Sequence, residues 1–150
     1  MSKPIGGRKI KKGKTKIMVF GTFDGLHRGH LNFFKQAKNL AKEPYLIVSI
    51  ARDKNVAKIK GQKPILNEKK RLGLVKKCGL ADKVVLSGLK NYLPHILKEK
   101  PDFLGLGYDQ RDYIKNLKRD LWSRGLNVKI VRLKPFKEKI YKNSLLKKKN

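Results

Sequence analysis

A stretch of ten residues holds the densest chemistry in this chain: Gly21-Thr22-Phe23-Asp24-Gly25-Leu26-His27-Arg28-Gly29-His30. It follows a short apolar run and leads directly into a helical pattern. Two imidazoles three positions apart lie within one turn of each other, so both can face one ligand. At the start of a helix that ligand is an anion, because unpaired backbone N–H groups and the helix dipole both favour negative charge there. Gly29 removes a side chain where a phosphate needs close approach, and Thr22 adds a hydroxyl donor at the strand end. The competing reading is that the histidines only cap and pack a strand–helix junction. Zinc is poorly served, since no cysteine or acid cluster completes a ligand set. The third histidine, His95, sits among apolar residues and reads as structural.

The elements around this stretch must hold it in place. Ile17 to Phe20 reads as a buried strand ending at Gly21. Leu31, Phe34, Ala37, Leu40 and Ala41 form a helical stripe over 29–42, stopped by Pro44. Tyr45 to Ile50 reads as a second strand, followed by a loop rich in Lys, Gly and Pro from Lys58 to Pro64. Asn67 is a candidate N-cap for a helix that ends at Gly79. Strands over 83–87, 102–106 and 127–132 alternate with helices over 91–99 and 111–124, and a last short helix is expected at 142–148. This alternation predicts an α/β fold, a Rossmann-like three-layer sandwich with a five-stranded parallel sheet. Such sheets bind ligands at the carboxyl ends of their strands, where strand order reverses.

Composition narrows the class. The 150 residues include 39 Lys+Arg and 11 Asp+Glu, a formal net charge of +28, with 39% apolar residues. That apolar content is not that of a disordered chain, and no run of about 18 apolar residues predicts a membrane span. The single cysteine, Cys78, excludes an internal disulfide. It fits a reducing compartment, and with no secretory pattern at the start the expected location is cytoplasmic. Residues 1–16 carry seven Lys/Arg and no acid and read as a basic flexible arm, with the folded domain at 17–150. The stretch 17–133 still carries a net +15. Such a field attracts any polyanion, whether nucleic acid or a nucleoside triphosphate.

Gly21-Thr22-Phe23-Asp24 followed by His27-Arg28-Gly29-His30 resembles the signature of the cytidylyltransferase-like nucleotidyltransferases. Ala51-Arg52-Asp53, Lys60-Gly61-Gln62-Lys63-Pro64-Ile65, Glu68 to Arg71, Asp82 to Val85 and Gly107-Tyr108-Asp109-Gln110 are similar to family motifs in order and spacing. The Gly-Tyr-Asp-Gln tetrad and the Lys-Gly-x-x-Pro-Ile loop most resemble the archaeal FAD synthase family. The resemblance spans about 17–146.

The resemblance implies transfer of a nucleoside monophosphate from a triphosphate to a phosphate-bearing acceptor, with release of pyrophosphate. ATP and FMN are the leading substrates; CTP with glycerol 3-phosphate or a similar small phosphate is the alternative. It implies catalytic roles for His27, His30, Lys60 and Arg71. Gly21, Thr22, Phe23, Asp24, Gly29, Gly107, Asp109, Asn143 and Ser144 would bind nucleotide, and Lys63 and Arg52 the acceptor. Phe23, Tyr108 and Tyr113 are candidates for an aromatic bed under the acceptor. Mg²⁺ is expected with the triphosphate and no dedicated protein metal site is; a homodimer follows by resemblance. One departure is that the family's hydroxyl-rich closing segment is here Ile140-Tyr141-Lys142-Asn143-Ser144, with a single hydroxyl from Ser144 and a capping role open to Asn143.

Two readings from other classes stand beside the enzyme. A nucleic-acid-binding module on a degenerate fold would explain the surplus charge, with incidental binding through the basic ends, but an intact His-x-Gly-His is not expected in a binding relic. An aminoacyl-tRNA synthetase-like fragment lacks both the length and a Lys-Met-Ser-Lys loop.

Overall fold

The computed structural model describes residues 13–88, 92–107 and 116–135, except the side chain of Ile59. Five strands, β1 (Thr15–Gly21), β2 (Pro44–Ile50), β3 (Lys83–Leu86), β4 (Phe103–Leu106) and β5 (Lys129–Arg132), form one sheet. Five helices accompany them: α1 (Arg28–Lys38), α2 (Asp53–Lys60), α3 (Glu68–Lys77), α4 (Leu93–Glu99) and α5 (Leu117–Ser123). All four pairings are parallel and the order is β3-β2-β1-β4-β5. The expected α/β Rossmann-like sandwich is therefore the observed architecture.

Strand alternation builds the two cores. Ile17 and Val19 of β1 and Leu46, Val48 and Ile50 of β2 face α1 and α3, meeting Phe34, Ala37 and Val75. Met18, Phe20, Tyr45 and Ile47 face the other way, meeting Ile96 of α4 and Leu117 and Leu121 of α5. Both faces of the central strands are buried, which is why they read as unbroken apolar runs. The polar exception in β2, Ser49, lies on the α4 side and shares a 2.8 Å hydrogen bond with His95 Nε2, so His95 is structural as expected.

Three elements differ from the sequence reading. β1 begins at Thr15, inside the segment assigned to the basic arm, because Thr15 and Lys16 pair with Pro44 and Tyr45. Pro44 opens β2 rather than stopping α1, which ends at Lys38; the first residue of a strand is a place where proline's missing donor is tolerated. The third is α2, whose last residues, Lys58 to Lys60, fall in the expected loop and whose first five the sequence assigns to no element. It is a two-turn helix ended by Gly61 in the left-handed conformation (φ 77°). The expected final helix at 142–148 and residues 111–115 of the helix expected over 111–124 lie outside the described residues.

Strand order reverses between β1 and β4. The chain leaves β1 for α1 on one face and leaves β4 toward α5 on the other. The crevice expected at such a point lies at the carboxyl ends of these two strands, where the histidine stretch begins.

Candidate active site

The histidine pair caps its own helix. His27 is the N-cap of α1, with extended backbone (φ −131°, ψ 178°), and its Nδ1 accepts the Gly29 N–H at 2.9 Å. His30 returns the bond: its Nδ1 accepts the His27 N–H at 3.3 Å. The two rings stack at 3.8 Å between centroids and 24° between planes. This is the reciprocal logic of a capping box, built from imidazoles instead of hydroxyl and carboxylate. Both Nδ1 atoms act as acceptors, so each neutral ring carries its proton on Nε2. Burial pushes the His27 pKa below its ordinary value. Burial, and then the neighbouring His27, lower His30 from 6.5 to about 4. The capping reading is borne out, and the caps fix the tautomer in which Nε2 carries the proton.

Gly29 has a structural cause beside the expected one. A Cβ there would lie 2.7 Å from His27 Cε1 and 2.9 Å from Nδ1, so its absence makes room for the His27 ring. Gly21 acts likewise for Phe23, whose ring would stand 2.5 Å from a Cβ. Phe23 itself takes a left-handed backbone (φ 53°), which costs a non-glycine residue about 1–2 kcal/mol. Its ring is buried, 5% exposed, against Phe34 and edge-on to His30 at 5.3 Å. Phe23 therefore supports the histidines from the core and offers no open ring to an acceptor.

Asp24 and Arg71 tie this loop to the next. Asp24 accepts the Ile65 and Leu66 N–H groups through its two oxygens, each at 2.7 Å. Arg71, expected in the phosphate-facing charge cluster, is instead fully buried. Its Nη1 donates to the Thr22 carbonyl at 2.9 Å, its Nε to the Leu66 carbonyl at 3.0 Å, and its Nη2 to Asp53 at 2.7 Å. The planar fork spans three chain segments, so Arg71 positions the histidine loop and does not reach a ligand in this conformation.

Asp53 and Glu68 open α2 and α3 and cap each other. Glu68 accepts the Asp53 N–H at 2.9 Å, and Asp53 accepts the Glu68 N–H at 3.2 Å. Burial pushes the Asp53 pKa up, but the Arg71 hydrogen bond, the Glu68 N–H and the charges of Arg71 and Lys63 outweigh it, and the net shift is downward. Arg52, expected at the acceptor, donates from Nε to the Ser87 carbonyl at 2.6 Å and pairs with Glu68 at 3.6 Å. Sequence reasoning quoted Asp53 and Glu68 only as motif members. An acid at the first position of each of two helices was the available signal.

Lys60, expected on the flexible loop, is the last residue of α2; both it and Lys63 are exposed. The Asp24 clamp holds the 61–67 loop that carries Lys63 against the histidine loop. Gly107 follows β4 across the switch point, its carbonyl accepting from Arg132 at 2.6 Å. Gly105 is closely packed, since a Cβ there would lie 3.0 Å from a Val19 methyl and 3.2 Å from one of Leu133. Asp109, Tyr108, Tyr113, Asn143 and Ser144 lie outside the described residues. Gln36 went unnoticed in the sequence: its amide donates to the Lys134 carbonyl and accepts the Lys134 N–H, at 2.7 and 2.9 Å. It thereby ties the chain beyond β5 to α1. Among the described residues no three His, Cys, Asp or Glu side chains gather as metal ligands, and no helix is long and apolar enough to cross a membrane.

Comparison with known proteins agrees with this geometry. The model of the family described as cytidylyltransferase-like matches residues 18–146. A protein of Korarchaeum cryptofilum named FAD synthase is 45% identical over 81% of this chain and 82% of its own. One of Methanosarcina barkeri with the same name is 42% identical over 83% and 86%. Among solved structures, one described as a lipopolysaccharide core biosynthesis protein from Thermoplasma volcanium superposes with a TM-score of 0.74. It is 34% identical and covers 81% of this chain and 98% of its own.

Proposed function

The chain belongs to the cytidylyltransferase-like family and is a nucleotidyltransferase, and from that premise we propose that it adenylylates FMN to give FAD. An oxygen of the FMN phosphate attacks the α-phosphorus of ATP, the bond from that phosphorus to the β-bridging oxygen breaks, and pyrophosphate leaves. The site needs to align the two phosphates and to neutralise charge on the oxygens as it builds. The observation that carries the reading is the stacked histidine pair at the N-terminus of α1. Two neutral Nε2–H donors and the helix end stand at one place on the carboxyl edge of the sheet, where donors and the helix dipole favour a triphosphate.

Around that pair, Lys60 and Lys63 supply mobile positive charge to the triphosphate and acceptor. Asp109 and Gly107 hold base and ribose, and Asn143 and Ser144 close over the phosphates. Magnesium enters as part of the substrate, bound to the triphosphate, which is how this hard and well-hydrated cation is usually handled. A homodimer is part of the same reading and is measured by sedimentation. The relatives' shared name supports ATP and FMN as the pair. The deciding assay is pyrophosphate release with ATP or CTP against FMN, glycerol 3-phosphate and phosphopantetheine, with FAD followed by its absorbance after chromatography. FAD formed from ATP and FMN is expected. Turnover of CTP with glycerol 3-phosphate, and none of ATP with FMN, would overturn the proposal.

A further inference from the structure

The chain's sole tryptophan, Trp122, is 65% exposed, and among the described residues no ring packs on it. It sits one residue beyond Leu121, which is fully buried against the sheet, so α5 is anchored by one neighbour and presents the other outward. Lys118 and Arg119, four and three positions earlier, share its helical face and are exposed. Arg124, also exposed, continues the patch past the end of the helix. The acid within it, Asp120, is already engaged: Arg119 approaches its carboxylate at 3.6 Å, and its carbonyl accepts from Ser123 and Arg124.

From this juxtaposition we propose that the Trp122 face of α5 is a binding platform for single-stranded nucleic acid, with bases stacked on the indole and phosphates held by Lys118, Arg119 and Arg124. An exposed aromatic set among cations is the arrangement such ligands require, since every base has a face to stack and every linkage a charge to neutralise. A second copy of the chain is a poor occupant. A two-fold contact would place this patch against itself, cation on cation. The platform is separate from the proposed transferase site. α5 packs on the sheet face opposite α1, and Trp122 lies toward the helix end that leads into β5 at the sheet's amino edge. It assigns a local purpose to charge that the nucleotide site does not use.

Because the chain has one tryptophan, its emission reports this surface alone. Titration of the full chain with a twelve-nucleotide oligouridylate should quench the emission. Binding measured by anisotropy of the labelled oligonucleotide should weaken at least fivefold in Trp122→Ala and less in Trp122→Phe. Lys118→Ala combined with Arg119→Ala should lower the magnitude of the salt slope by about 1.4, near 0.7 for each lost phosphate contact. Pyrophosphate release should stay within twofold of the parent in all three variants, so failure of the transferase reading would not be mistaken for failure of this one. Unchanged oligonucleotide affinity in Trp122→Ala would overturn the proposal, assigning any binding to other basic surfaces. Equal quenching by polyglutamate would overturn it in favour of a merely anionic partner. Quenching that follows protein concentration without oligonucleotide would overturn it in favour of self-association.

Discussion

Replacing Gly29 by alanine separates the positioning of the histidines from the stability of the fold. The new Cβ would stand 2.7 Å from His27 Cε1 and 2.9 Å from Nδ1, where carbon contacts settle near 3.5–4.0 Å. The ring must therefore move by about 1 Å, away from the Gly29 N–H it accepts at 2.9 Å and out of its stack on His30. Losing a helix N-cap costs about 1 kcal/mol. Alanine in place of a helical glycine returns about 0.5–1 kcal/mol, so the two nearly cancel. Catalysis has no such compensation. A donor displaced by about 1 Å from developing charge costs on the order of 100-fold. Gly29→Ala is expected to lower kcat for pyrophosphate release about 100-fold while thermal unfolding stays within about 4 °C of the parent. Retention of more than a third of kcat would refute the claim that the cap geometry aims the rings. A fall in Tm beyond 10 °C would refute the stability argument.

Other perturbations probe the bracket and the titrating pair. Arg71→Ala strands the Thr22 carbonyl and the Asp53 carboxylate and should cost about 2–4 kcal/mol in denaturant unfolding, less than a fully buried pair because Asp53 is partly exposed. Arg71→Lys keeps the charge but cannot span three acceptors, so it should recover less than half of that loss. Asp24→Asn puts an amide donor against one of two backbone N–H groups, and a drop of about 1–2 kcal/mol with at least a tenfold loss of turnover is expected. His30 binds its proton at about 4 in the folded chain and near 6.5 unfolded, so in that window the unfolded state holds more protons and stability rises with pH. The full gap is worth at most about 3 kcal/mol. The gain should run from pH 4 to 6.5, level off above, and shrink in His30→Gln; a flat profile in the parent would contradict the capping tautomers.

Legibility in the sequence followed the range of the forces involved. The strands could be read because both faces of β1 and β2 are buried, leaving unbroken apolar runs. The histidine stretch could be read because a helix N-terminus and a glycine are local features. α2 could not: among its described side chains only Val56 is a buried apolar one, and its lysines look like loop. The aromatic role expected of Phe23 failed for a similar reason. Its left-handed backbone turns the ring into the core, and only the clearance over Gly21 makes that turn feasible.

The cations show the limit most clearly. The sequence suggests that Lys60, Lys63 and Arg71 face the triphosphate and that Arg52 and Lys63 meet the acceptor, and the fold divides these four cations by type. Arg71 is buried on three protein oxygens and Arg52 is bound to a carbonyl and Glu68, whereas Lys60 and Lys63 stay exposed. A guanidinium offers a rigid planar fork, suited to joining fixed carbonyls across segments. An ammonium on a flexible stem is a movable point charge, suited to a ligand that arrives and leaves. Nothing in Glu68-Lys69-Lys70-Arg71 announces that its last residue will be fully buried; that depends on Thr22, Asp53 and Leu66 converging on it in space. Once they do, the arginines set where the histidine loop sits and the lysines are left to meet the substrate. The net charge near the site is therefore a weak guide to ligand affinity: a charge-preserving Arg71→Lys should disturb the fold more than neutralising the exposed Lys63.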